Sequence, residues 1–339
     1  LSSDVTLKQI AEALGVSAMT VSRALNNRSN VEESTRERIL EKAEEMGYTP
    51  NHVAKSLVSR KTYTIGVVIP QISHVFFSQV ISGIEEVAYK FNYQLLLTNS
   101  AENYEREKKS IEALKSKRVD GILISCAENS RDFKYYKQIV DSGLPLVFFD
   151  RCVKNIGASC VSVNDIESSK AITEHLIEHG YKKIAHLAGS RQVSVGVDRL
   201  KGFKSALKKH KIPVNEKWII ESGFREDGGY DAMSKILDMP KDQWPRAVVA
   251  VNDPAAFGAV KAINDRSLSI PKDIALVGYS DDIRSDLISP PLTTVKQPAT
   301  ELGKLAAEKL IRIIENDSEP VEEIELKTSL IIRKSCGCN

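Results

Sequence analysis

From Thr64 onward the chain alternates short apolar runs with amphipathic helical stretches, and it does so twice. The first series reads TIGVVIP, YQLLLTN, GILIS and LVFFD, with a helical pattern after each run. After Asn164 a second series begins, KIAHLAG, WIIESG, RAVVAVN and IALVGYS. Alternation of this kind predicts βαβ units and a parallel sheet. Two series predict two similar lobes, and 339 residues are enough for two or three compact units. No short fixed-period repeat is present, which excludes a solenoid. In open parallel sheets ligands sit beyond the carboxyl ends of the strands, so the loops after these runs are where a small molecule would be held between lobes.

Ahead of this core lie three short helical patterns. Thr6 with Gln9 makes a capping-box start, and Leu7, Ile10, Ala11 and Leu14 then form one apolar face. Gly15 ends this helix. Ser17, a good N-cap, starts the next after a turn of about three residues, the connection of a helix-turn-helix. Along the second helix Val21, Ala24 and Leu25 are expected inside, leaving Ala18, Met19, Ser22, Arg23 and Asn26 on an outer stripe. Small or flexible residues at a helix start can approach base edges in a major groove, and an arginine such as Arg23 can pair bidentately with guanine. Ser17, Thr20, Ser22 and Asn26 are candidate phosphate donors. A third helix is expected with Ile39, Leu40, Ala43 and Met46 as its stripe, stopped by Gly47 and Pro50. The bland alternative for residues 6–47 is a helical cap on the core.

These residues carry a resemblance. The run VTLKQIAEALGVSAMTVSRALN, continued by Gly47-Tyr48-Thr49-Pro50-Asn51 and then by Ala54 and Leu57, resembles the LacI/GalR regulators of bacteria, and the similarity extends to the C-terminus. The resemblance implies an α/β chain with a three-helix head and a hinge helix, then a two-lobed, doubly wound core of periplasmic-binding-protein type. It places the head at 1–50, hinge and linker at 51–62, and the core at 63–339. Lobe one would take about 63–163 and 294–326, and lobe two about 164–293 and 327–339. By the same resemblance Ala18, Met19 and Arg23 read bases. Thr6, Ser17, Thr20, Ser22, Asn26, Tyr48, Asn51, Ala54 and Lys55 complete the DNA-facing set, with Leu57 wedged into the minor groove from a hinge at 51–58. An eight-residue segment falls short of the roughly 12–15 that an isolated helix needs, so its order should depend on DNA and a partner hinge. A wedge there would offset unstacking by the contacts that a kink permits.

The resemblance also implies effector-facing positions: Ser73, Phe76 and Phe77 after the first strand, Asp150 after LVFFD, Arg199 in DRLKGF, Phe224, Asn252, and Ser280 after Tyr279. Such a set suits a sugar, a sugar derivative or another polar ring, oriented by a few fixed groups. For the phenylalanines the alternative is plain core packing, and for Arg199 a surface ion pair. Many relatives carry aspartate where this chain has Ser280. One hydroxyl in place of a carboxylate weakens hydroxyl-pair recognition and leaves room for an acidic or phosphorylated ligand. The expected assembly is a homodimer on a pseudo-palindromic operator, since no heptad helix follows the last strand.

Composition decides less. Formal net charge is +2, and acids nearly balance cations even in residues 1–61, so the DNA argument rests on pattern. No apolar run reaches the roughly 18 residues of a membrane helix, and the start Leu1-Ser2-Ser3-Asp4 has no leader pattern. Five cysteines without CxxC spacing predict free thiols in a reducing cytoplasm, Cys336 and Cys338 being placed on a loose tail with no nearby histidine. Three other classes fare worse. His175-x-x-Glu178-His179 matches a zinc-protease pattern, but His179 reads as a cation on the last turn of a helix. A dehydrogenase would need glycines in IPQISHVFF, and a sugar-binding transport protein would lack the head and carry an export leader. No enzyme activity, cofactor or metal is expected.

Overall fold

The computed structural model describes residues 5–26, 30–48, 61–130, 133–316 and 318–338. It divides into two compact units, Leu1–Thr62 and Tyr63–Asn339.

The first unit holds α1 (Leu7–Leu14), α2 (Ala18–Leu25) and α3 (Glu33–Glu45). Its local chemistry matches the sequence signals. The Thr6 hydroxyl accepts from the Gln9 amide while the Gln9 side chain accepts from the Thr6 amide, closing the capping box. Gly15 adopts φ 65°, where a side chain would be strained, and the chain turns there into α2. The Ser17 hydroxyl caps α2 by accepting from the Thr20 amide at 3.0 Å. Ile10, Val21 and Ile39 are fully buried, flanked by Ala11, Ala24 and Ala43. Each such aliphatic stabilises a small unit by about 1.5–3 kcal/mol. Leu40 departs from its expected place: it is 46% exposed, because Ile39 and Ala43 on α3, with Met46 just past its end, are the residues that enter the head's core.

In the second unit the chain runs β1 (Thr64–Ile69), α4 (Val75–Lys90), β2 (Gln94–Asn99), α5 (Tyr104–Ser116), β3 (Gly121–Ile124), α6 (Phe133–Asp141), β4 (Leu146–Phe149) and β5 (Ser159–Val163). It then forms α7 (Asp165–Glu178), β6 (Ile184–Ala188), α8 (Ser194–Lys209), β7 (Ile219–Glu221), α9 (Glu226–Leu237), β8 (Ala247–Ala250), α10 (Asp253–Asp265), β9 (Ala275–Ser280) and β10 (Thr293–Lys296). α11 (Ala299–Glu315), β11 (Glu323–Leu326) and β12 (Ser329–Ile331) follow. Two six-stranded sheets result, ordered β11-β5-β4-β3-β1-β2 and β12-β10-β9-β8-β6-β7. Every pairing is parallel except β10 with β12. Central strands β3, β4, β8 and β9 are buried along their length, as expected of parallel strands covered on both faces.

α11 returns to the first lobe and packs on α4 so closely that a Cβ on Gly83 would lie 2.0 Å from the Thr300 carbonyl, and one on Gly303 as near that of Val80. The return crossing starts later than the sequence suggests. β10 pairs in register with β9, Thr293 opposite Val277 and Lys296 opposite Ser280, so the second lobe keeps residues 293–296. The apolar run QLLLTN forms an edge strand, leaving Leu96 and Leu97 38% and 39% exposed.

Two expectations about cysteine are overturned. Cys152 and Cys160 form a disulfide, their Cα atoms 5.9 Å apart, because the loop leaving β4 folds back beside β5. The free-thiol argument for a reducing compartment therefore falls. Nor is the C-terminal segment loose: Ser335 bonds to Leu276, Pro291 and Thr293, and Cys336 is fully buried against Ile172 and Leu176.

Candidate DNA-reading face and ligand cleft

On the head, α2 presents most of the stripe that its periodicity predicts, with Ser22 and Leu25 half-buried between its two faces. Val21 and Ala24 face inward, whereas Ala18, Met19, Arg23 and Asn26 are exposed, Met19 to 63%. Some proposed phosphate donors already have local roles. Ser17 caps the helix and shares a 2.8 Å hydrogen bond with the Thr20 hydroxyl, and Asn26 donates to the Ser22 carbonyl at 2.7 Å. Thr6 is bound within its capping box and Tyr48 packs on the head's core. Asn51, Ala54, Lys55 and Leu57 lie outside the described residues.

In the second unit, all eight positions implied for an effector line a cleft at the carboxyl ends of the strands. An outer cavity of about 330 Å³ is lined by Gln71, Ser73, His74, Phe224, Arg225, Glu226, Asp227, Pro254 and Arg284. An inner chamber of about 30 Å³ shares His74 and Phe224 with it. The chamber's other walls are Phe76, Phe77, Asp150, Arg151, Val195, Arg199, Asn252, Ser280 and Gln297. The phenylalanines serve two ends at once: Phe76 and Phe77 belong to the first lobe's core and Phe224 to the second's, and their rings also face the chamber.

Arg199 is no surface residue. Its Nε donates to Asp165 at 2.7 Å, an Nη donates to the Val251 carbonyl at 2.7 Å, and the guanidinium stacks 3.6 Å from the centre of the Tyr279 ring. Arg151, which sequence reasoning missed, donates two hydrogen bonds to Glu102, at 2.7 and 2.9 Å, and lies 4.3 Å over Phe224 of the other lobe. Its position after Asp150 at a strand end was the available signal. Asp150 holds φ 60° and accepts from the Ser125 hydroxyl at 3.3 Å. Burial raises its carboxyl from 3.8 to about 6, against the opposing pull of Arg151 and Arg199.

His74 was missed too, although it opens α4 between two named neighbours. Its Nδ1 accepts from the Phe76 amide at 3.3 Å, and burial, then Arg151, lowers it from 6.5 to about 4. The ring is therefore neutral at pH 7. Its Nε2 lies 3.4 Å from Asn252 Nδ2, which donates to the Phe224 carbonyl at 2.9 Å, while Asn252 Oδ1 caps α10. Nearby, the Ser280 hydroxyl and the Gln297 side-chain amide are buried without a hydrogen-bond partner among the described residues. Unmatched buried polar atoms cost about 1–3 kcal/mol each, a cost that a ligand with acceptors would remove. Asp282, close behind Ser280, cannot replace a carboxylate there, because Arg284 holds both its oxygens at 3.1 and 3.0 Å.

The decoy patterns come apart. His179 Nδ1 is taken by the His175 carbonyl at 2.7 Å, so the two imidazoles do not converge as a pair of metal ligands. The turn after β1 is closed by His74 rather than by a glycine cradle.

Similarity to known proteins agrees with this geometry. Residues 6–51 match the bacterial regulatory proteins of the lacI family, and residues 173–336 match a periplasmic binding protein-like domain. The transcriptional repressor PurR of Pasteurella multocida is 36% identical over 97% of this chain and 98% of its own length. The ribose operon repressor of Haemophilus influenzae is 34% identical with the same coverage. Among solved structures, a Lac repressor dimer bound to operator and the anti-inducer ONPF aligns with TM-score 0.87 at 27% identity, covering 98% of this chain and 99% of that one.

Proposed function

Because this chain belongs to the lacI family of bacterial regulatory proteins, we propose that it represses transcription from an operator gripped by residues 17–26, under the control of a small metabolite held between its core lobes. Members of this family are DNA-binding repressors rather than enzymes.

Ala18, Met19 and Arg23 read base edges in this scheme, and the hinge at 51–58 carries Leu57 to the minor groove. The protein acts as a homodimer beside the chromosome, in the cytoplasm. In support, β2 ends its sheet and exposes Leu96 and Leu97, and among the described residues no strand pairs with its outer side, a template for a second copy.

The observation that carries the ligand reading is a pair of unpartnered polar groups in the inner chamber. Among the described residues the Ser280 hydroxyl and the Gln297 amide nitrogen are buried without a hydrogen-bond partner, in a chamber that three phenylalanine rings also line. A sugar derivative presenting carbonyl, carboxylate or phosphoryl oxygens on a compact ring would match them, and the outer cavity sits at the small end of ligand pockets. Gln297 follows β10 on the segment that crosses between lobes, so a ligand bond there would bias the interlobe angle and, through it, the spacing of paired hinges. Coupling of about 1–3 kcal/mol would change operator affinity some 5- to 150-fold. Induction or corepression follows from which lobe arrangement the ligand prefers.

Thermal-shift screening against sugars, sugar acids, sugar phosphates and purines tests the cleft, since a ligand raises stability as RT ln(1 + [L]/Kd). One class should raise the melting temperature of the wild type and leave Gln297→Ala unmoved. A hit that stabilises both equally would place the ligand elsewhere.

A further inference from the structure

A second constellation lies far along α7 from the cleft. His175 sits on the buried face of that helix beside Ile172 and Leu176. The C-terminal segment folds over it and delivers two thiols: His175 Nε2 is 3.5 Å from Cys336 Sγ and 3.3 Å from Cys338 Sγ. All three ligand atoms fall within 4.8 Å of one another. We propose that His175, Cys336 and Cys338 form a zinc site that pins the C-terminal segment to α7.

The spacing carries the argument. With Zn–S near 2.3 Å and Zn–N near 2.0–2.1 Å, a tetrahedral ion sets its nitrogen and sulfur ligands about 3.5 Å apart and its two sulfurs about 3.8 Å apart. The two N···S separations already match, so an ion needs only a small adjustment of the partly exposed Cys338. Chemistry selects the ion: two thiolates and one imidazole favour a borderline-soft cation over magnesium or calcium. Charge agrees as well, because two thiolates and one Zn²⁺ sum to zero, which suits a site this buried. The frame is already assembled. Tyr181 donates to the Cys336 carbonyl at 3.0 Å, the Thr293 hydroxyl lies 3.2 Å from Cys336 Sγ, and Ser335 is bonded on both sides. With three protein ligands the fourth position falls to water.

The test uses the full chain with a thiol-free reductant and neither DNA nor effector, so its outcome is independent of the regulatory reading. Zn²⁺ uptake is measured by competition with a chromophoric chelator, and Co²⁺ is added in parallel to look for thiolate-to-cobalt absorption. Wild type and Cys152→Ser should each bind one equivalent with that absorption. Cys338→Ser, altered at a partly exposed position, should keep its circular dichroism yet bind Zn²⁺ more than about 100-fold more weakly, beyond the 10- to 100-fold cost of disturbing an outer-shell partner. Failure of the wild type to bind stoichiometrically, undiminished affinity in Cys338→Ser, or loss in Cys152→Ser would overturn the assignment.

Discussion

Asp150→Asn should make the protein more stable and less responsive. The carboxylate occupies the cleft at φ 60°, a conformation that asparagine adopts readily, so the substitution changes charge with little strain. Burial holds the folded-state value near 6, above the 3.8 of an unstructured chain. At about 1.4 kcal/mol per pH unit, the ionised group opposes folding by roughly 3 kcal/mol. Because the folded-state value is the higher one, this penalty is fully present above pH 6 and is relieved as pH falls through 6 toward 3.8. Urea melts of wild type and variant should therefore differ by about 3 kcal/mol at pH 7–8, with the variant the more stable, and by roughly half a kcal/mol at pH 4. A thermal midpoint should rise by some 6–12 °C at pH 7 for a unit of this size. The same variant should lose the ligand's effect on operator affinity, since a charge kept at such cost belongs to a binding function. A variant no more stable than wild type at pH 8, or an advantage that persists undiminished at pH 4, would refute the reasoning.

Other perturbations probe the remaining parts. Arg23→Ala should relax base preference at one half-site position and cost roughly 1–3 kcal/mol of operator binding; an unchanged selected-site profile would argue against groove contact. Arg199→Ala strands the buried Asp165 carboxylate, so a loss of about 3–5 kcal/mol in core stability is expected, with the effector response abolished and operator binding retained at low temperature. Survival of the response would remove Arg199 from the cleft's working set. Leu57→Ala should reduce operator bending in a mobility assay, and bending at the wild-type level would eliminate the wedge.

What the sequence could show was whatever is written locally. Thr6 with Gln9, Gly15 and Ser17 act within a few residues of themselves, so the head's helices and their turn were legible. The buried runs of β3, β4, β8 and β9 announced a parallel sheet, the strand-end rule pointed to the loops where a ligand would sit, and the family resemblance supplied Phe76, Asp150, Arg199 and Ser280. Contacts made by distant segments were not legible. β5 was hidden because SCVSV is short and mixed, and β10 was misassigned because its lobe depends on register with β9. Cys152 and Cys160 pair only once a loop folds back, and His175 meets Cys336 and Cys338 across some 160 residues of chain. His74, Arg151 and Gln297 escaped because their value lies in what faces them: an asparagine amide, an aromatic ring of the other lobe, an unfilled hydrogen bond.

The central claim is that one chain couples a metabolite in its cleft to its grip on a duplex. Fluorescence anisotropy of the full-length protein on a duplex obtained by site selection, at low salt and titrated with the compound found by thermal shift, measures that coupling directly. A 5- to 150-fold change in Kd is predicted, abolished in Asp150→Asn. A saturated cleft with duplex affinity unaltered, or no duplex bound at any ligand concentration, would contradict it.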